Sequence, residues 1–394
     1  MRRLILVLAL LAALSPAAEI RAAGGSDWFA IDAEARADWT VSAPDPADDR
    51  RVLMRMKTAP DGPARTVLVI YPRKSSAYDI AMSTLLKDFA GRSENLEFLA
   101  VNFGQDPARG AALLEEARRG AYALIYAMGS ETVEWINGMR EALPAPVVTV
   151  CAKDPVLLGQ TPNYTDGSGA LIAFTSLNPR IDVQVEYLRE LMPKLKNLAI
   201  LVDAGNISAV ETQARPMIEA MRAAGVDAFE AAVTDAGRAR AELSALIPDA
   251  VARMRRSDPD LKNSAFWITG STSVFTEIRA INAHAGGAAV LSAAPDVVRA
   301  GPDSALLSIG VGFESNAQLA AVYGADILAG RAEAGALPVG VVSPPDVAVN
   351  FMRARAIGLK TPFSFFEAAT YIYGPEGAPL RVRGRSAPPP PRAD

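Results

Sequence analysis

One cysteine and one histidine stand in 394 residues. Cys151 has no partner for an intramolecular disulfide, and a chain of this length can build a core without one. In Val147-Val-Thr-Val-Cys151 it reads as a buried strand residue rather than a reactive thiol. Tetrahedral zinc draws several ligands from His and Cys, and one of each cannot supply them. A Ser-His-Asp system would have to use His284, which reads as an ordinary helix-end residue between Ala283 and Ala285. No serine occupies a Gly-x-Ser-x-Gly elbow, and neither Gly-x-Gly-x-x-Gly nor Gly-x-x-x-x-Gly-Lys-Ser/Thr occurs. An excess of positive charge is also missing, because 40 Lys and Arg against 44 Asp and Glu leave a formal net charge of -4. A nucleic-acid binder needs a basic face that neutralises phosphates, so no nucleic-acid partner is expected. Enzyme machinery is largely absent, and no cofactor or metal is expected.

Long hydrophobic runs are lacking as well. The one apolar stretch near the start, Leu4 to Leu14, follows Arg2 and Arg3 and closes at Ser15-Pro16. A membrane span needs roughly 20 apolar residues, and this run stops well short. Ala17, Ala18, Ala22 and Ala23 follow, which completes the layout of a secretory signal peptide. Residues 1–23 are therefore expected to be removed, placing the mature chain in the periplasm; no cysteine near the cut offers a lipid anchor.

What is present is a repeated alternation of strand and helix. Val67–Tyr71, Leu96–Val101, Ala123–Tyr126 and Val147–Cys151 are short apolar runs of the kind buried on both faces of a parallel sheet. Helical spacing separates them at Ser76–Ala90, Ala108–Arg119 and Glu131–Leu143. A second series follows, with strands at Leu198–Val202, Asp227–Val233, Ala265–Ile268 and Ala289–Ser292. Its helices are predicted over Asp182–Met192, Val210–Ala224, Arg238–Arg255 and Val274–Ala285. Two βα series of domain length predict an α/β protein of two Rossmann-like lobes with parallel sheets. Residues 24–63 carry Trp28, Phe29 and Trp39 without a clear period and read as a strap on the first lobe. Residues 374–394, with Pro388 to Pro391 consecutive, are expected to be disordered.

Several predicted strands end in small polar residues just before a helix. Ligands of open α/β sheets bind outside the carboxyl ends of the strands, where helix starts offer unpaired N–H groups. The first-lobe candidates are Ser75, Ser76, Gly129, Ser130 and Asp154, with Tyr78 and Met128 for apolar packing. The second-lobe candidates are Asn206, Ser208, Gly270, Ser271 and Thr272. Phe313 and Glu314 are expected near a crossing between the lobes. Each of these polar residues is also a standard helix cap; their recurrence in both series is what points to a cleft. Arg73-Lys74 is expected to be solvated.

From about Leu143 to Lys360 the chain resembles the ABC-transporter substrate-binding family that includes TrpX-like proteins. The likeness rests on Pro146-Val-Val-Thr-Val-Cys-Ala-Lys-Asp-Pro155 and on Tyr187-Leu-Arg-Glu-Leu-Met-Pro-Lys-Leu-Lys-Asn-Leu-Ala-Ile200. It continues through Ile309-Gly-Val-Gly-Phe-Glu-Ser-Asn-Ala-Gln-Leu319, Ala325-Asp-Ile-Leu-Ala-Gly330, Val349-Asn350 and Ala356-Ile-Gly-Leu359. The resemblance implies a type I periplasmic-binding-protein fold with three inter-lobe crossovers. Lobe 1 would then hold residues 64–175 and 303–332, and lobe 2 residues 176–302 and 333–373. The sequence departs from the family at Gly169–Ser176, where an Asn-x-Thr-Gly turn is usual. It departs again at Thr269-Gly-Ser-Thr272, which replaces an aspartate, and at Phe313-Glu314, which matches a tyrosine.

The expected role is capture of a small solute, such as a partly apolar carboxylate or amino acid, by hinge closure. The partner would be an ABC-transporter permease, and the protein a monomer. The competing roles are a ligand sensor that signals to a regulatory partner and, further off, an exported enzyme.

Overall fold

In the computed structural model, residues 27–42, 48–120 and 122–387 are described. The expected signal peptide and Pro388 to Pro391 lie outside them. Strand Arg65–Tyr71 shows why the first sheet forms: its last five residues are buried, and they alternate between two cores. Val67, Val69 and Tyr71 enter one, while Leu68 and Ile70 enter the other. A strand buried on both faces reads as a continuous apolar run, and parallel neighbours need helical crossovers to cover those faces. The first sheet runs in the order Trp39–Val41, Arg51–Met56, Leu96–Asn102, Arg65–Tyr71, Tyr122–Met128, Val147–Val150, Ile172–Ala173. The first two strands are antiparallel additions, and the other pairings are parallel.

The second sheet repeats the logic, with Leu198, Ile200 and Val202 facing one core and Ala199 and Leu201 the other. Its order begins Asp227–Val233, Asn197–Asp203, Ser264–Ile268, Ala289–Ser292, Leu307–Gly310. It continues through Asp346–Asn350, Tyr371–Tyr373, Pro379–Val382 and Arg385–Ser386. Between the lobes, Thr175–Ser176 pairs in parallel with Gly340–Val341.

The chain passes between lobes after Ser176, after Gly310 and after Val341, which gives the three crossings of a type I periplasmic-binding-protein fold. Hydrogen bonds fasten these crossings together. Fully buried Asn316 accepts from Cys151 N at 2.8 Å and donates to Thr175 Oγ1 and Ser176 O, both at 3.2 Å. Gly312 N donates to Asp346 Oδ2 at 2.9 Å, joining the second crossing to the third.

Three boundaries differ from expectation. Leu307–Gly310 belongs to the second sheet, paired with Ala289–Ser292 on one side and Asp346–Asn350 on the other, rather than to lobe 1 from residue 303. Its four buried residues fit either sheet equally well, so their pattern does not choose. The helix after it, Phe313–Leu328, does pack into the first-lobe core, and Gly340–Val341 stays with that side before the last crossing. The stretch after residue 374 is not wholly without structure. Pro379–Val382 and Arg385–Ser386 form a hairpin turning at Arg383-Gly384, both at positive φ (54° and 73°). Such two-residue turns match the twist of their flanking strands. In the strap, helix Ala33–Asp38 and hairpin Trp39–Val41/Arg51–Met56 place Trp28, Phe29, Trp39, Val52 and Met54 in the first-lobe core.

Candidate binding site

The carboxyl ends of the two parallel sheets carry the loops singled out above. In the first lobe, Tyr122–Met128 runs into helix Gly129–Asn137 through Gly129 at φ 79°, a backbone state that favours glycine. A Cβ there would also overlap the Tyr78 hydroxyl. That hydroxyl donates to Glu131 Oε2 at 3.4 Å, and Arg73 Nε donates to Glu131 Oε1 at 2.9 Å. Arg73 is thus half-buried and paired, unlike the solvated residue expected, while Lys74 is exposed. Ser130 Oγ accepts from Lys153 N at 2.9 Å, so the Gly129–Asn137 helix start and the Cys151–Pro155 loop form one unit. Ser75 is buried at the start of helix Ser76–Ala90, whereas Ser76 is exposed.

Other first-lobe candidates face inward. Met128 has no exposed surface and belongs to the core, as does Phe313 at the start of the Phe313–Leu328 helix. Asp154 spends both oxygens on its own loop: Oδ1 accepts from Val156 N and Leu157 N, and Oδ2 from Tyr164 OH at 2.6 Å. Glu314 pairs with Arg383 Nε at 2.8 Å, so the C-terminal hairpin of the second lobe reaches the first.

In the second lobe, Asn206 Oδ1 caps Ala209 N at 3.2 Å and accepts from Ser208 Oγ at 3.0 Å. Ser271 is fully buried, its hydroxyl 3.1 Å from Thr269 Oγ1. Thr272 begins the short Thr272–Phe275 helix, half-buried. Gly270 lies at the junction of the lobes: its N–H donates to Gln213 Oε1 at 2.7 Å, and a Cβ would overlap Lys153 Nζ.

That junction brings in residues the sequence reading passed over. Lys153 reaches from the first lobe to Gln213 Oε1 of the second at 3.4 Å, and is only 7% exposed. Burial pulls its pKa down to about 8, against the opposing pull of Cys151 and Glu131. Gln213 is aimed there by a local widening of its helix. Over Val210–Ala214 the backbone bonds span five residues, Arg215 N to Val210 O, and such turns often mark functional sites. Asp296 follows strand Ala289–Ser292; its side chain is exposed, and the chain around it is crowded. Burial pushes its pKa up to about 6, opposed by its own N–H and that of Phe313 and helped by Asp346 and Glu314. The strand-end rule reaches Asp296 as well, since it follows a second-lobe parallel strand whose end was not among the candidates.

Cys151 is buried, which holds its thiol far above the ordinary range. His284 is exposed at the end of helix Ile278–His284. Among the described residues, no group of three His, Cys, Asp or Glu is placed to hold a metal ion, and no helix is long and apolar enough to cross a membrane. A depression of about 430 Å³ lined by Asp27, Trp28, Asp49, Arg50, Lys74 and Asn102 takes nothing from the second lobe.

No protein-family model matches the chain, and no curated protein matches it. Solved structures do. A conserved domain protein from Vibrio cholerae O1 biovar eltor aligns over 78% of this chain and 99% of its own, at 18% identity and a TM-score of 0.59. The ABC domain from Streptococcus pneumonia in complex with L-Trp covers 78% and 100%, at 16% identity and a TM-score of 0.58. A ligand-free, open substrate binding protein with adhesive properties from Clostridium difficile covers 76% and 96%, at 16% identity and a TM-score of 0.55. The chain has the type I periplasmic-binding-protein fold that the sequence resemblance implied.

Proposed function

We propose that this protein is the exported solute-binding component of an ABC importer. The observation that carries the reading is that the carboxyl ends of two parallel sheets, joined by three crossings, bring polar groups of both lobes together at Lys153, Gln213 and Gly270. Solute enters the open form, touches both lobes and favours the closed form by its differential affinity. The closed protein then docks on a membrane permease and releases its cargo; no bond is made or broken. The similar folds of an L-Trp complex and of an open, ligand-free substrate binding protein support this reading. Mass spectrometry of small molecules released by denaturing the purified protein tests it, together with small-angle scattering before and after the solute is returned. One solute at near-stoichiometric yield, with compaction on rebinding, is expected. Catalytic turnover of that solute, or identical scattering profiles at saturation, would overturn the reading.

A further inference from the structure

Lys153 is a cation in an expensive place. A buried ammonium loses its hydration and keeps the position only when something restores the lost interactions. It carries three donors and no acceptor. Its one hydrogen bond among the described residues is to the neutral Gln213 Oε1, at a long 3.4 Å. No carboxylate lies within ion-pair distance of it among the described residues. Glu131, the acid near enough to influence it, is engaged by Arg73 and Tyr78. Asp154, its neighbour in sequence, is engaged by Tyr164 and two backbone N–H groups.

The surroundings are arranged around the ammonium. Ser130 fixes the Lys153 backbone, Gly270 has no side chain where the ammonium tip lies, and Gln213 closes the far side from the other lobe. From this geometry we infer that the solute carries an anionic group, a carboxylate, and that Lys153 is the first-lobe residue that binds it. The inference rests on the solute-binding reading above and names the chemical class of the solute. A lysine presents one compact point charge, which a singly charged carboxylate compensates, whereas a phosphate dianion would bring a second charge for the site to meet. Closing the lobes around that carboxylate turns an uncompensated buried charge into a pair spanning both.

The test uses the full-length mature protein and two matched panels read by calorimetry. One panel holds free carboxylates: the common amino acids, benzoate, phenylacetate and short aliphatic acids. The other holds the corresponding carboxamides, with inorganic phosphate alongside. At least one acid is expected to bind while its amide and phosphate do not. Lys153→Met should then bind that acid about ten to a hundred times more weakly, the usual cost of a charge-assisted hydrogen bond. Lys153→Arg should recover part of the loss, and circular dichroism of both variants shows whether they remain folded. Equal binding of acid and amide, binding of phosphate instead, or unchanged affinity in a folded Lys153→Met would overturn the inference while leaving solute capture intact. Binding of nothing from either panel, with no solute released on denaturation, would remove the solute-binding reading itself.

Discussion

Replacing Lys153 by Met should change how the empty protein's stability depends on pH. The pKa of Lys153 falls from 10.5 to about 8 on folding, with burial as the largest cause. Between those values the unfolded chain binds a proton that the folded one has released. Stability of the wild type therefore rises as pH goes from about 8 to 10.5, through the Lys153 contribution. The whole displacement corresponds to about 3 kcal/mol, present as a penalty below pH 8 and absent above 10.5. Met keeps an unbranched side chain, one atom shorter than that of lysine, and has no proton to lose. The charged and titratable groups that act on Lys153, Glu131 and Cys151, stay in both proteins, as do the tyrosines that titrate at high pH. Urea unfolding of wild type and variant in half-unit steps from pH 7 to 10.5 isolates the lysine as the difference between two curves. The variant should be more stable at pH 7, and the gap should shrink by about 3 kcal/mol towards pH 10.5. Parallel curves would refute the reasoning, because they would mean that the ammonium is solvated and that the junction of the lobes is open to water.

Gly270→Ala puts a methyl group where Lys153 Nζ lies, and overpacking of this kind costs about 1–3 kcal/mol. Urea midpoints should drop, and the double variant Gly270→Ala/Lys153→Met should recover most of the loss. Arg383→Ala removes the ion pair to Glu314 between the hairpin and the first lobe. Such partly exposed pairs contribute about 0–1 kcal/mol, so the melting temperature should hardly move, while scattering should show a larger radius without solute. Asp296 has a folded pKa near 6, above its ordinary 3.8, so its contribution to stability declines as pH rises from about 4 through 6. Asp296→Asn should flatten that part of the profile, which unfolding curves at pH 4, 5, 6 and 7 would show.

The sheets were legible because strands buried on both faces leave continuous apolar runs. Val67–Tyr71 and Leu198–Val202 could hardly be anything else, and the Ser76–Ala90 helix has the expected bounds. Leu307–Gly310 was placed in the wrong lobe because four buried residues carry no record of their neighbours. The C-terminal hairpin escaped because its strands are largely exposed and rich in arginine, so no alternation shows. Within the candidate site, loop position was readable but side-chain direction was not. Met128, Asp154 and Ser271 stand at strand ends as expected, and each turns to serve its own lobe. Lys153 was passed over because a lysine beside an Asp-Pro turn ordinarily reads as solvated. Gln213 depends on one extra residue in a helical turn, which no apolar spacing reveals.

The antiparallel hairpin added to the first sheet has a consequence for how copies of the molecule meet. Without it, the sheet would end at Leu96–Asn102, seven residues of unpaired backbone donors and acceptors. A bare ladder of that length is a template on which another chain can add a strand. Trp39–Val41 replaces it with an edge of three residues. The second sheet ends at one side in the two residues Arg385–Ser386, and at the other in Asp227–Val233, which sets charge along its edge with exposed Glu230 and the Asp227–Arg253 ion pair. Flanks of this kind offer little for a neighbouring copy to zip onto. Excising residues 39–56 would uncover the long ladder and turn a crowded solution of this protein towards edge-to-edge aggregation.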